Sequence, residues 1–301
     1  MNIKILVSYH KPFQIFSDDI LTPIHLGRAL AKDGENDGAA QLLDILGDDT
    51  GDNISSKNPA YNELTAIYWA WKNYDALGNP DYIGFMHYRR HFVFKESRKK
   101  YFECKKIPPD YLRRIGCTKE NITSILSNHD FVVNAPHKRA SVYNHFKNAH
   151  DISELDSALE IIAERHPDYK DAANRYVFGK YAFFYNMFVF PREIFFEYAK
   201  WIFDVLSELE KVRGAGGRLF VSERLTGIFV TKLLLDGKKP AFLPTMYIAD
   251  ARQSFSEVKK SVKQNLKDAK SRGFKKKLYA MRPLILYLMP SFLVRLYRNR
   301  K

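Results

Sequence analysis

Long apolar runs are missing from this chain of 301 residues. No stretch approaches the roughly 18–20 apolar residues that a bilayer-spanning helix needs. The N-terminal stretch Ile3 to Val7 is too short for the core of a secretory signal, so the sequence is expected to start in the cytoplasm. Cysteine is nearly absent. Cys104 and Cys117 are the only two, twelve residues apart, which matches no common zinc spacing and allows at most one disulfide, so two reduced thiols are expected. Also absent are a Gly-x-x-x-x-Gly-Lys-Ser/Thr phosphate loop, His-Glu-x-x-His, Gly-x-Ser-x-Gly and the Rossmann glycine fingerprint. Kinases, zincins, α/β-hydrolases and standard dehydrogenases are thereby disfavoured.

What is present is a chain with 46% hydrophobic and 14% aromatic residues, enough for a sizeable core in one large domain or a domain with an appendage. The net charge of +14 is concentrated at one end: residues 257–301 hold 14 basic against 2 acidic groups, leaving 34 against 32 in the rest. A nucleic-acid enzyme spreads its basic residues along a groove. A near-neutral body with a basic tail argues against nucleic acid as a partner.

The body alternates β-rich runs with helical stretches, the pattern of an α/β domain. Ile3 to Tyr9 reads as a buried strand opening into the polar loop Tyr9-His10-Lys11-Pro12, at the rim where α/β folds bind ligands. Asn58-Pro59 reads as a helix start, with an aromatic helix over Tyr61 to Tyr74. Further strands are expected over Tyr82 to Tyr88, His129 to Asn134, Phe183 to Phe190 and Ala241 to Ile248. Helices are expected over Ser153 to Arg165, from Pro191 to about Val212, and over Leu219 to Leu235, with Lys95 to Arg114 as an irregular surface excursion.

Four groups of residues have the chemistry for a site. The loop Asp48-Asp49-Thr50-Gly51-Asp52 places three carboxylates in five residues, able to ligate a divalent cation, bond sugar hydroxyls, supply a base, or simply cap a turn. His87-Tyr88-Arg89-Arg90 ends a strand with adjacent guanidiniums, which suit a diphosphate or a salt bridge to the acidic loop. Period-two geometry groups His87 with Arg89, and Tyr88 with Arg90. Glu63 lies in the aromatic helix, either on its surface or buried with a raised pKa. Ser222-Glu223-Arg224 opens a helix, where Glu223 either acts as a general base or is an ordinary first-turn acid. Beyond the body, Lys259 to Lys277 is basic and Leu278 to Leu296 is largely apolar, a pairing expected of a segment lying on an anionic membrane surface. A solvated tail or a partner-docking helix is the alternative.

The run Asp48-Asp49-Thr50-Gly51-Asp52-Asn53-Ile54-Ser55, then Tyr61-x-Glu63-Leu64-Thr65, Tyr68-Trp69-x-Trp71-Lys72-Asn73 and His87-Tyr88-Arg89-Arg90, resembles the capsular and exopolysaccharide glycosyltransferase family known as domain of unknown function 4422. Phe183-x-x-Asn186-Met187-Phe188 and Ser222-Glu223-Arg224-Leu225 extend the resemblance to about residues 3–250. It implies a GT-A-like nucleotide-sugar-binding domain over 1–256, followed by a basic amphipathic helical tail over 257–301. The implied activity moves a hexosyl group, galactosyl or galactofuranosyl in some relatives, from a nucleotide-sugar, UDP-linked by expectation, to a lipid-linked glycan. The implied setting is the inner face of the bacterial plasma membrane, with the protein peripheral. On this reading Glu223 is the catalytic base with Asp52 as second choice, and Tyr9, His10, Lys11, Asp48, Asp49, Asn53, Glu63, His87, Arg89, Arg90 and Asn186 line the nucleotide-sugar. No metal is required, arginine standing in for it, although manganese or magnesium at Asp48, Asp49 and Asp52 is the alternative. The competing function is a non-catalytic scaffold binding nucleotide or phospholipid.

Overall fold

The computed structural model describes residues 1–31, 40–214 and 219–249, with 262, 263 and 281. The expected tail over 257–301 therefore lies almost wholly outside the described residues. Among the described residues are twelve strands: β1 Ile3–Tyr9, β2 Leu21–His25, β3 Leu46–Gly47, β4 Tyr82–His87, β5 Arg90–Phe92, β6 Tyr101–Cys104, β7 Phe131–Asn134, β8 His137–Lys138, β9 Tyr181–Ala182, β10 Phe188–Pro191, β11 Pro240–Leu243 and β12 Thr245–Ile248. The α-helices are α1 Ala40–Leu43, α2 Asn58–Tyr61, α3 Leu64–Lys72, α4 Tyr111–Arg114, α5 Lys119–Asn128, α6 Val142–Ala149, α7 Ile152–Arg165, α8 Lys170–Phe178, α9 Arg192–Arg213 and α10 Ser222–Leu235.

The main sheet runs β11-β7-β10-β4-β1-β2-β3, and β5, β12 and β6 continue it from β4. β1 is parallel to both β2 and β4, whereas β10 runs antiparallel between β4 and β7. A strand hydrogen-bonded on both sides and covered on both faces must be apolar at nearly every position. Ile3–Tyr9 meets that demand, and alternation divides it: Leu6 joins the core under α3 and α9, while Ile5 and Val7 join the core on the other face. Both helix layers contribute fully buried residues, among them Ile67 and Leu206 on one side and Ile122 on the other.

Three expectations from the sequence are corrected. The helix expected over Tyr61 to Tyr74 is broken at Asn62, whose φ of 51° and ψ of −128° no helix can continue through. Asn58 closes the first piece by donating from Nδ2 to the Asn62 carbonyl at 2.8 Å, and Glu63 then occupies the N-cap of α3. The strand expected over Ala241 to Ile248 is split at Pro244, which supplies no backbone donor; β11 extends the main sheet and β12 pairs with β5 and β6. The excursion over Lys95 to Arg114 contains strand β6 and helix α4.

The approach to α10 depends on one buried acid. Glu154, in the first turn of α7 and 2% exposed, accepts a hydrogen bond from the Val221 backbone N–H at 2.9 Å. Burial pushes its carboxyl up to about 7, against the opposing pull of the Val221 backbone N–H and the Arg213 charge. Its folded pKa lies above the unfolded value near 4.5, so this group's contribution is fully present below pH 4.5 and is lost as pH rises through about 7. The difference corresponds to about 3 kcal/mol as an upper bound. Glu154→Gln is therefore expected to stabilise the protein more at pH 8 than at pH 5, measured by urea midpoints. Equal shifts at both pH values would show that Glu154 carries no proton in this range.

Candidate active site

The β4–β5 hairpin sets the geometry at the C-terminal rim of the parallel strands. Tyr88 and Arg89 form its turn, with the Tyr88 N–H donating to the Ser8 carbonyl at 3.0 Å and the Arg89 carbonyl accepting from Ile248 N–H at 2.9 Å. Directly paired residues on neighbouring strands share a face, and His87 pairs with Arg90. The strict alternation read from the sequence, His87 with Arg89, is thus overturned by a tight turn one residue earlier than expected.

Arg90 is half-buried, its guanidinium 4.7 Å from the centre of the Tyr185 ring and 6.0 Å from that of Tyr247. Among the described residues no carboxylate lies within ion-pair distance of it. Arg89 packs over Tyr88 at 5.1 Å and Tyr247 at 5.6 Å. His87 donates from Nε2 to the Tyr185 carbonyl, which fixes its tautomer. Its pKa falls to about 4, through burial first and the Arg90 charge second, so the ring is neutral near pH 7. His10 meets Tyr88 edge to face at 5.0 Å and Lys11 lies over the same ring. His10 too is lowered to about 4, first by desolvation and then by the positive fields of Lys11, His87, Arg89 and Arg90. The loop after β1 and the hairpin therefore converge on one cationic rim.

Two carboxylates face this rim from separate helices. Glu63 accepts from Asn186 Nδ2 at 2.8 Å and from its own backbone N–H; burial raises its pKa, opposed by these donors and by the Arg90 charge. A carboxylate offers about four lone-pair sites, so Glu63 keeps capacity for a ligand. Glu223, on the first turn of α10, accepts from the Tyr185 N–H at 2.9 Å through Oε1 and from Arg224 Nη1 at 2.7 Å through Oε2. Asn186 is buried and serves as the hub: its Oδ1 accepts from Thr226 Oγ1 at 2.6 Å while its Nδ2 reaches Glu63 and Ser222. Tyr185 and Asn186 carry φ of 78° and 48°, two consecutive non-glycine residues in the left-handed region, each costing on the order of 1–3 kcal/mol.

The acidic loop does not join this constellation. Asp48 is fully buried and accepts from the backbone N–H groups of Gly27 and Arg28 and from the hydroxyls of Ser55 and Thr65. That is the turn-capping alternative, realised as a buried anchor, and its oxygens are taken. Asp49 lies 3.8 Å from Arg28, Asn53 closes its own loop by donating to the Asp49 and Gly51 carbonyls, and exposed Asp52 accepts from Tyr68. The loop runs alongside α3 from Thr65 to Asn73, so Asp52 ends near the far end of the helix from Glu63. It stands away from the rim, and each of the three carboxylates has partners of its own: Asp48 the turn and hydroxyls, Asp49 Arg28, and Asp52 Tyr68. No cluster of three metal-ligating side chains occurs among the described residues. Tyr9 is likewise spent, its buried hydroxyl bonding the Gln14 carbonyl and the Phe16 N–H.

Of the sequence candidates, the structure thus gathers His10, Lys11, Glu63, His87, Arg89, Arg90 and Glu223 at the rim, with Asn186 behind them. Sequence reasoning missed Tyr185 and Tyr247, the rings under Arg90, and His145, whose Nδ1 accepts from Arg224 at 3.1 Å. The last two act from 157 and 79 positions away from their partners, and no local pattern marks such contacts.

The sheet, mostly parallel with one antiparallel strand inside its main run and a cationic rim at the ends of β1 and β4, defines a GT-A-like α/β domain. Residues 4–236 match the family model described as Domain of unknown function (DUF4422), and the chain belongs to that family. The solved apo structure of the WbbM bifunctional glycosyltransferase is similar at a TM-score of 0.72 and 30% identity, over 83% of this chain and 46% of that one. The chain thus spans less than half the length of that protein. No curated protein matches the sequence.

Proposed function

We propose that this chain is a nucleotide-sugar-dependent glycosyltransferase whose rim binds the diphosphate of the donor. The observation that carries the reading is Arg90: a half-buried guanidinium resting on two aromatic rings, with no carboxylate partner among the described residues, beside an acid of raised pKa. Support comes from the likeness to WbbM, a bifunctional glycosyltransferase of which this chain spans less than half.

In the proposed reaction Arg90 and Arg89 donate hydrogen bonds to the leaving diphosphate and offset the charge that develops as the glycosidic C–O bond breaks. A hydroxyl of the acceptor forms the new C–O bond, and a carboxylate receives its proton. Glu63 takes that role better than Glu223, the choice from sequence alone. Both Glu223 oxygens are engaged, one of them by the Arg224 guanidinium, whereas Glu63 is desolvated, has a raised pKa and makes no ion pair among the described residues. Glu223 then holds the Tyr185 turn in place. The donor is expected to be UDP-linked, with galactosyl or galactofuranosyl as the first sugars to try, and the acceptor a lipid-linked glycan. Residues 257–301, with 14 basic and 2 acidic groups, would hold the enzyme on an anionic membrane face. No helix among the described residues is long and apolar enough to cross a membrane.

Glu63→Gln is expected to lower kcat by about 100- to 10,000-fold with little change in donor KM. Because the base must be ionised, wild-type kcat/KM should fall as pH drops through a pKa above the ordinary carboxylate range. A near-wild-type rate in Glu63→Gln would remove Glu63 from the chemistry. Turnover should persist in EDTA; its loss on chelation and return with manganese would refute arginine as the counter-charge. Deleting residues 257–301 should release the protein from membranes without weakening nucleotide binding, and a truncated protein that still pellets would place the membrane contact elsewhere.

A further inference from the structure

Part of the aromatic motif on α3 points away from the rim. Trp71 and Tyr68 meet Phe203 of α9 in a tight trio: the Trp71 and Phe203 planes are 2° apart with centres at 5.9 Å, and Tyr68 sits edge-on to both. The trio forms one wall of a cavity of about 650 Å³, a size typical of small-molecule sites. Opposite stand Arg165, His166 and Asp204, locked together: Arg165 bonds Asp204 through two nitrogens at 3.1 and 2.9 Å, and His166 bonds it at 2.9 Å. Exposed Lys72 and Lys200 complete the lining. Lys72 rests 3.8 Å from the centre of the Trp71 ring, and Lys200 has no carboxylate within ion-pair distance among the described residues.

A surface trio of this kind is often only packing between two helices. Three features exceed that need. Trp71 stays half-buried at the mouth of the cavity instead of entering the core, as its neighbour Trp69 does at 1% exposure. The polar wall is already fixed by its own hydrogen bonds, so presenting it to a ligand costs little ordering. Two exposed ammonium groups line the cavity with no carboxylate in ion-pair distance among the described residues.

We propose that this cavity is a second glycan-binding site, taking a saccharide ring that bears a carboxylate or phosphate. The C–H face of a sugar takes the place of Lys72 over the indole, its hydroxyls bond the Asp204–His166 edge, and the displaced Lys72 and Lys200 meet the anionic substituent. Eight residues of α3 separate Trp71 from Glu63, about 12 Å along the helix axis at 1.5 Å per residue. The site is thus distinct from the rim and holds whether or not the rim transfers sugar.

The test is titration of the full-length chain with a tetrasaccharide of alternating hexuronate and N-acetylhexosamine, followed by calorimetry and by saturation transfer from protein to sugar protons. Its carboxyl-reduced counterpart, inorganic phosphate and anionic vesicles run alongside. Saturable binding of the acidic sugar is expected, weakened at least about tenfold by Trp71→Ala, a typical loss for truncating a buried aromatic anchor. Lys200→Gln should narrow the preference for the acidic over the reduced sugar, and it serves alone should Trp71→Ala fail to fold. Nucleoside diphosphate affinity should be unchanged in both variants, so failure here is separable from failure at the rim. Absence of saturable sugar binding, sugar binding indifferent to both substitutions, or Trp71-dependent binding to vesicles or phosphate alone would each overturn the proposal.

Discussion

A guanidinium cannot shed its charge, and Arg90 is held where no carboxylate among the described residues comes within ion-pair distance, Glu63 feeling its charge from further off. The β4–β5 hairpin pairs it with His87, and Tyr185 and Tyr247 give it aromatic faces to rest on. Ring faces attract a cation but do not use its in-plane N–H donors. Those donors are free to take an oxyanion in the plane of the guanidinium. His10 and His87 are neutral near pH 7, through desolvation first and the neighbouring positive charge second. The rim's positive charge therefore comes from its lysine and arginine side chains alone.

The carboxylates are organised around that charge by one web. Asn186 ties Glu63 of α3 to Ser222 and Thr226 of α10, while the preceding Tyr185 ties Glu223 to the His87 ring. Both residues occupy the left-handed backbone region, and Asn62 just ahead of Glu63 also has a positive φ. Unfavourable backbone conformations persist only where the surroundings over-determine them. Here they mark the two chain segments that set the position of Glu63, so the fold accepts local strain where the acid must be placed. Asp48 carries a different load, joining the turn after β2 to the start of α3, and this keeps the helix that presents Glu63 in register with the sheet.

Much of the scaffold was legible because its signals are local. β1 was readable as a continuous apolar run that must be buried on both faces, α7 matched within one residue, and α9 from its proline start. The breaks were harder. A positive φ at Asn62 and a split at Pro244 depend on where the flanking pieces dock, which no window of sequence reveals. The same limit governs the site. The motif residues Glu63, Arg90 and Glu223 do gather at one rim, but which acid is engaged depends on Arg224 and Asn186 arriving from elsewhere in the fold. The acidic loop was ambiguous from sequence, because three carboxylates in five residues suit a ligand cluster as well as a turn cap, and Asp48 is seen to cap a buried turn. The Tyr185 and Tyr247 rings carried no signal at all.

The central claim is that Arg90 binds the diphosphate of a nucleotide donor. Calorimetric titration of uridine, UMP and UDP into the intact protein and into Arg90→Ala addresses it most directly, because each added phosphate isolates the anion's share of binding. The account predicts that wild type favours UDP over uridine steeply, and that Arg90→Ala abolishes most of this preference while leaving uridine affinity as it was. An undiminished preference for UDP in Arg90→Ala would contradict it.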